Sequence, residues 1–360
     1  MMISAVDTPP ERSGLLRFFV SFLAVFCLAG CGVSDPSPHV LSGMTMGTTW
    51  VVKFRLPASW EKSRVDLLRL DLARAIHDEL EKVNNLMSVF RAESEISRFN
   101  RFRAGQKFPV SPEMAALVAM AMNVYHQSNG AFDITIGPVI RLWGFGPDGE
   151  RRIPAESEIR SALERSGSRH LVVYHEPPAL RKNVDGLECN LSALAKGYGV
   201  DCLAQLLKRK KINDFLVEIG GEVRTRGERV GGGPWQIGIM EPMAAGGLQR
   251  VIRLENRSMA TSGDYQNYFE VDGTRYSHTF DPRSGRPVTH NLASVTVVAD
   301  TCMEADAWAT ALLVMGPEKA KELALQRSWC VFLIERDARG YREFMTPSFR
   351  RLLLSEKGAS

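Results

Sequence analysis

Asp306 and Thr310 stand four residues apart in a stretch whose pattern predicts a helix over 302–315, so both side chains project from one face. A carboxylate and a hydroxyl are hard oxygen donors, suited to magnesium more than to zinc or copper. Two such ligands are too few for a protein cage, but magnesium commonly takes its other ligands from water, carbonyls and substrate phosphates. Spacing alone favours a plainer alternative, a solvated Asp and a Thr bonded to its own helix carbonyl.

Three other segments carry chemistry-bearing residues. Ser192-Ala193-Leu194-Ala195-Lys196-Gly197-Tyr198-Gly199 opens a predicted helix. Free amides and the positive helix end attract anions there, and Lys196 adds a point charge. It lacks the Gly-x-x-x-x-Gly-Lys-Ser/Thr of a P-loop, and a close-packed helix with Lys196 in solvent explains it equally well. In Ser277-His278-Thr279-Phe280-Asp281-Pro282, a His at a strand end followed by an acid is a candidate general base near neutral pH, though by themselves the residues favour a His and Asp that stabilise the turn. No Gly-x-Ser-x-Gly elbow accompanies it, which argues against a hydrolase triad. Gly130-Ala131-Phe132-Asp133-Ile134-Thr135-Ile136 reads as a strand after a turn, with Asp133 a binding acid or a cap, and Gly220-Gly221 as a backbone approach to a ligand or a bulge.

The surrounding pattern supplies the elements. Thr48 to Leu56 reads as a strand, and Val65, Leu68, Leu72, Ile76, Leu80, Val83 and Met87 recur at helical steps. Ser111-Pro112 marks an N-cap followed by N1 proline, opening a helix that closes near Asn129-Gly130. A helix over 155–166, a strand over 171–174 and a helix from Ser192 to Lys210 follow. Beyond residue 214 strands dominate: 215–219, 235–240, 251–254, a hairpin about Asp272-Gly273, and 293–299. Thr301, with Glu304 three residues on, opens the helix bearing Asp306 as a capping box. A helix at 317–326 and strands near 330–335 and 341–345 complete an α+β fold, with antiparallel sheets and packed helices.

Composition narrows the function classes. Lys plus Arg at 45 against Asp plus Glu at 41 gives +4, too small an excess to suggest nucleic acid as a partner. Arg12 and Arg17 precede the twelve-residue apolar run Phe18–Ala29, short of the roughly 20 residues that span a bilayer. The run ends Leu28-Ala29-Gly30-Cys31, which looks like a bacterial lipobox. We therefore expect residues 1–30 to be a lipoprotein signal peptide, Cys31 the lipidated residue, 31–43 a tether and 44–350 the folded domain, with a division into 44–212 and 213–350 open. The expected location is the bacterial cell envelope, facing the periplasm, on the inner or the outer membrane. Several acyl chains, at ~0.8 kcal/mol per buried methylene, would hold the protein firmly on a membrane. Cys189, Cys202, Cys302 and Cys330 remain after processing. They form no Cys-x-x-Cys pair, which argues against zinc and leaves their oxidation state open.

Taken together, Met46-Gly47-Thr48-Thr49, Met87-Ser88-Val89-Phe90, Ser97-Arg98-Phe99-Asn100, Gly130-Ala131-Phe132-Asp133, Trp143-Gly144-Phe145-Gly146, Asn190-Leu191-Ser192 through Tyr198, Ile219-Gly220-Gly221, Thr261-Ser262-Gly263, Ser277-His278 to Pro287 and Glu304-Ala305-Asp306-Ala307-Trp308 stand in one order. The chain resembles the ApbE family of FAD:protein FMN transferases, over about 44–335. The resemblance implies an ApbE-like, T-fold-like architecture and a magnesium-dependent reaction at the pyrophosphate of FAD. A Thr or Ser of a partner flavoprotein attacks the phosphorus on the FMN side, and AMP leaves. The implied acceptors are subunits of membrane redox complexes of the NADH:quinone reductase type or its relatives.

By that resemblance Asp306, Thr310 and the backbone carbonyl of Ala193 ligate magnesium, and His278 takes the proton of the attacking hydroxyl, with Asp281 close enough in sequence to compete. Met46, Phe90, Ala131, Phe132, Asp133, Asn190, Lys196 and Phe280 match FAD-contacting positions. Two departures stand out: the family often has Asp where this chain has Asn190 and Tyr where it has Phe90, so FAD affinity or loss of FAD to hydrolysis is open to change. The rival readings are an FAD pyrophosphatase yielding free FMN and AMP, and a non-catalytic flavin-binding lipoprotein. A thiamine- or iron-handling lipoprotein is a third, and for direct iron binding the sequence lacks a soft-ligand or His/Tyr cluster.

Overall fold

Met46 and Gly47 lie in the left-handed region, at φ +49° and +72°, and make the two-residue turn that joins β1 (His39–Thr45) to β2 (Thr48–Phe54). The computed structural model describes residues 37–354, apart from 58, 148, 243–246, 266–267 and 339. The expected signal peptide and the lipidation site Cys31 lie outside the described residues. Residues 39–43, expected to be the end of the tether, are instead strand. Val40 and Ser42 alternate with Leu41 and Gly43 along a regular antiparallel ladder with β2, and the Ser-containing composition that suggested a linker reflects an edge strand half open to solvent.

The polypeptide then runs through α1 (Lys62–Met87), α2 (Glu95–Arg101), β3 (Phe108–Pro109), α3 (Pro112–Gln127), α4 (Gly137–Leu142), α5 (Glu156–Glu164), β4 (Leu171–His175), β5 (Pro178–Lys182) and α6 (Ser192–Arg209). Ser111 caps α3 by accepting the Met114 N–H, and Pro112 occupies the first turn. The strand expected over 130–136 does not form. Asp133 Oδ1 accepts both the N–H and the hydroxyl of Thr135, at 2.8 and 2.6 Å, which curls the backbone into a turn leading to α4.

The second half supplies β6 (Phe215–Ile219), β7 (Glu222–Arg226), β8 (Trp235–Met240), β9 (Leu248–Leu254), β10 (Ser258–Gly263), β11 (Tyr268–Val271), β12 (Thr274–Ser277), β13 (Phe280–Asp281), β14 (Arg286–Pro287), β15 (Leu292–Ala299), α7 (Cys302–Met315), α8 (Pro317–Gln326), β16 (Cys330–Asp337), β17 (Gly340–Met345) and α9 (Pro347–Arg350). An antiparallel sheet runs β1-β2-β6-β7-β10-β15-β16-β17. Its β2–β6 ladder pairs Trp50 with Ile219, so the sheet crosses the division considered at 212/213. The described residues accordingly fall in one compact unit.

Both faces of the central strands are covered, which is why they read as continuous apolar runs rather than alternating ones. Val331 and Leu333 of β16 join the core beneath α7, while Phe332 and Ile334 join the opposite core with Trp235, Ile252 and Phe349. α6 and α7 pack side by side on the first face, and α1 packs on α6. α7 is buried nearly all round, as its Ala-, Leu- and Trp-rich sequence requires. An ionisable residue within such a helix is costly unless something pairs with it. Asp306 is that residue.

Candidate functional site

Two hairpin tips meet at one end of the sheet. Gly220 and Gly221, at φ +59° and +103°, link β6 to β7, and the Gly220 N–H donates to the Thr49 carbonyl of the neighbouring β2 at 3.0 Å. A Cβ at Gly220 would stand 2.8 Å from Thr48 Cγ2 and 3.2 Å from Lys196 Cδ, so the bare backbone leaves a channel for the lysine stem. The start of α6 is held beside these tips. Asn190 Oδ1 accepts the Ser192 N–H at 2.9 Å, and the Asn190 N–H donates to the Ile134 carbonyl at 2.6 Å. Asn190 thus ties α6 to the turn that carries Asp133.

Lys196 Nζ lies 2.5 Å from Glu222 Oε1 and 4.0 Å from Asp306 Oδ1. Glu222 and Asp306 are 1% and 2% exposed. Burial pushes the carboxyls of both above the usual range, and the Lys196 ammonium opposes that shift. Burial alone would lower Lys196, but the charges of Asp306 and Glu222 outweigh it and hold the ammonium above its ordinary value. A further cation would favour the ionised form of both carboxyls and so offset the cost of burying them.

Asp306 Oδ2 accepts the Gly197 N–H at 3.0 Å. In a regular helix that amide serves the carbonyl four residues earlier, which is Ala193. Thr310 lies one turn beyond Asp306, and its Oγ1 is 3.1 Å from Ser262 Oγ on β10. Asp306, Thr310 and the Ala193 carbonyl fit magnesium, which takes hard oxygens and keeps several ligands from water or substrate. Glu222 Oε2, close by, is buried and has no hydrogen-bond partner among the described residues. Among the described residues no three His, Cys, Asp or Glu side chains converge as a metal cage. A metal here would therefore lean on the hydroxyl, the carbonyl and the substrate.

The remaining expected residues are distributed around this centre. Met46 lies beside Gly199 of α6 and bridges two core clusters. Phe90, in the loop after α1, is 67% exposed and presents its ring to solvent. Ala131 and Phe132 are buried. Asp133 serves the protein itself, receiving Thr135 on Oδ1 and the Ser168 N–H on Oδ2 at 2.9 Å. Phe280 is 5% exposed and packs with Trp143 and Phe145 at centroid distances of 5.8 and 5.6 Å. His278 is exposed at the end of β12. Asp281, its rival, has both oxygens paired with the Arg283 guanidinium, at 2.7 and 2.8 Å. Cys189, Cys202, Cys302 and Cys330 are free and buried.

Sequence reasoning missed Glu222 and Asp201. The signal for Glu222 was an acid directly after a Gly-Gly turn, at the first position of a strand. Asp201, five residues past Lys196 on α6, pairs with Arg224 and accepts the N–H groups of Cys302 and Met303, each at 3.0 Å. It therefore caps α7 from a neighbouring helix, a role with no local signature.

A profile of the ApbE family matches residues 46–332. The FAD:protein FMN transferase of Salmonella typhimurium is 36% identical over 354 residues, 94% of this chain and 97% of its own length. The protein of that name from Escherichia coli K12 is 38% identical over 323 residues, 88% of this chain and 90% of its own. The solved flavin transferase ApbE from Vibrio cholerae superposes with a TM-score of 0.79 at 36% identity, covering 88% of this chain and 99% of that one.

Proposed function

Since the chain belongs to the ApbE family, we propose that it transfers FMN from FAD to a Thr or Ser of a partner flavoprotein. The acceptor oxygen forms a bond to the phosphorus on the FMN side, the bridging P–O bond breaks, and AMP leaves. The observation that carries this reading is the grouping of Lys196, Glu222, Asp306 and the Asp306–Thr310 face at the hairpin tips. Phosphoryl transfer is catalysed chiefly by positioning and by charge neutralisation, and this cluster is built of both.

Magnesium, when held by Asp306, Thr310 and the Ala193 carbonyl, would neutralise charge on the phosphates. Lys196 adds a fixed positive charge beside it. His278, open to solvent at its strand end, is reachable by a hydroxyl from another protein and takes its proton as the bond to phosphorus forms. Asn190 positions the start of α6, and Phe90 offers an exposed ring face to a flavin or adenine. The acceptors on this reading are subunits of membrane redox complexes. Lipidation at Cys31 would keep the enzyme on the periplasmic side of the envelope, beside them.

The reading is tested by incubating residues 32–360 with FAD, magnesium and a protein bearing a Thr acceptor. We expect in-gel flavin fluorescence and the mass gain of FMN, both abolished by a chelator. Free FMN and AMP without protein-bound flavin would make the enzyme a hydrolase, and unchanged bound FAD would leave a carrier.

A further inference from the structure

Among the described residues Lys196 is the cation within ion-pair distance of Asp306, and so the natural competitor of any metal there. Its ammonium nevertheless rests 2.5 Å from Glu222 Oε1 and 4.0 Å from Asp306 Oδ1. An ammonium free to move would close on the buried Asp306 even though the Lys196 side chain is 32% exposed, because Coulomb attraction rises steeply at short range beside a poorly solvated carboxyl. Asp306 Oδ2 is already taken by the Gly197 N–H, so Oδ1, the atom facing Lys196, is the oxygen left for a metal.

We propose that Glu222 is a positioning residue that holds the Lys196 ammonium aside, and so keeps Asp306 Oδ1 open to a divalent cation. This rests on the reading of Asp306 as a metal ligand.

The two partners differ in freedom, which decides who positions whom. Glu222 is the first residue of β7, paired with Ile219 across the Gly220-Gly221 turn, and its short side chain is buried against the sheet. Lys196 has a long stem that runs over Gly220 and reaches its resting place only through rotatable bonds. The rigid acid therefore sets where the flexible ammonium lies. Among the described residues Glu222 Oε2 has no hydrogen-bond partner, and Lys196 is the cation that compensates this buried carboxyl, beside a backbone hydrogen bond, so the two are held together strongly.

The test is calorimetric titration of magnesium into residues 32–360 without FAD or acceptor, so that no turnover enters the readout. We expect Glu222→Gln to weaken magnesium binding by about tenfold or more, because the released ammonium closes on Asp306. Lys196→Met alone is expected to change the affinity by less than about threefold, since in the native site the ammonium already stands aside. The double variant should return to within about threefold of the wild type. Should Glu222→Gln fail to fold, Glu222→Asp, which keeps the charge and shortens the reach, is expected to weaken binding and to be relieved by Lys196→Met in the same way.

A double variant as weak as Glu222→Gln would show that Glu222 acts on the metal itself and would overturn the proposal. So would a Lys196→Met variant that tightens binding by as much as Glu222→Gln weakens it, for that is a simple sum of charges. An unchanged Glu222→Gln variant overturns it as well. Asp306→Ala separates the two readings. If that variant binds magnesium as the wild type does, or the wild type binds none, the metal assignment fails first.

Discussion

Asp306 Oδ2 accepts the backbone N–H of Gly197 at 3.0 Å, which ties the acid of α7 to the main chain of α6. The contact exists because Gly197 has no side chain. A Cβ there would lie 2.4 Å from the Cys302 carbonyl oxygen and 2.8 Å from Met303 Cα, where neither backbone atom can yield.

Gly197→Ala is accordingly expected to push α6 and α7 apart. Overpacking of this kind costs about 1–3 kcal/mol, and here it also lengthens the bond to Asp306. A lowered thermal midpoint together with weaker magnesium binding is the expected result. A variant that melts and binds as the wild type does would show that the helices have slack the structure does not suggest.

Asp306→Ala should abolish magnesium-dependent flavin transfer, with a fall of at least about a hundredfold in rate, as for loss of a group that neutralises transition-state charge. In-gel fluorescence of the acceptor, followed over time at saturating magnesium, reads this directly. Undiminished transfer would remove Asp306 from the metal site.

Asp201 joins α6 to α7 by capping α7, and to β7 by pairing with Arg224. Asp201→Ala leaves two helix amides unmet and a half-buried guanidinium without its carboxylate. We expect a loss of about 2–4 kcal/mol, scaled below the fully buried case because Arg224 keeps some access to water. The urea midpoint measures it, and an unchanged midpoint would mean that water serves the α7 amides equally well.

His278→Ala is expected to slow transfer by about 10²–10⁴-fold, the usual contribution of general base catalysis, while FAD still binds. Equilibrium titration of FAD fluorescence checks the second half. Loss of FAD binding would move His278 from proton transfer to the architecture of the pocket.

Burial pushes the Cys330 thiol up to about 11 and the Cys202 thiol up to about 12. Both lie above the ordinary thiol value of 9.0, so the native state favours the protonated form. Their contribution to stability is complete below pH 9 and is lost as the pH rises through 11 and then 12. At pH 8 the native protein should resist thiol reagents that label all four cysteines of residues 32–360 after denaturation. Rapid labelling of the native protein at that pH would contradict the burial.

The long helices, the main strands and the Asp306–Thr310 spacing were legible in the sequence because they follow from local rules. A period of 3.6 or 2, a Ser before Pro112 and a Thr before Cys302 are properties of neighbours along the chain. So was the family, since its motifs lie in one order. Tertiary structure alone decided the rest. Strand β1 hides in a Ser- and Pro-containing stretch because half its residues face solvent, and the segment at 130–136 turns because Asp133 bonds to Thr135 and Ser168. Glu222 joins Lys196 and Asp306 only when β7 is brought beside α6 and α7, across sequence gaps of 26 and 84 residues. Coulomb interactions act through space and carry no periodicity, so a cluster of charges assembled from distant elements leaves no pattern in the chain that makes it.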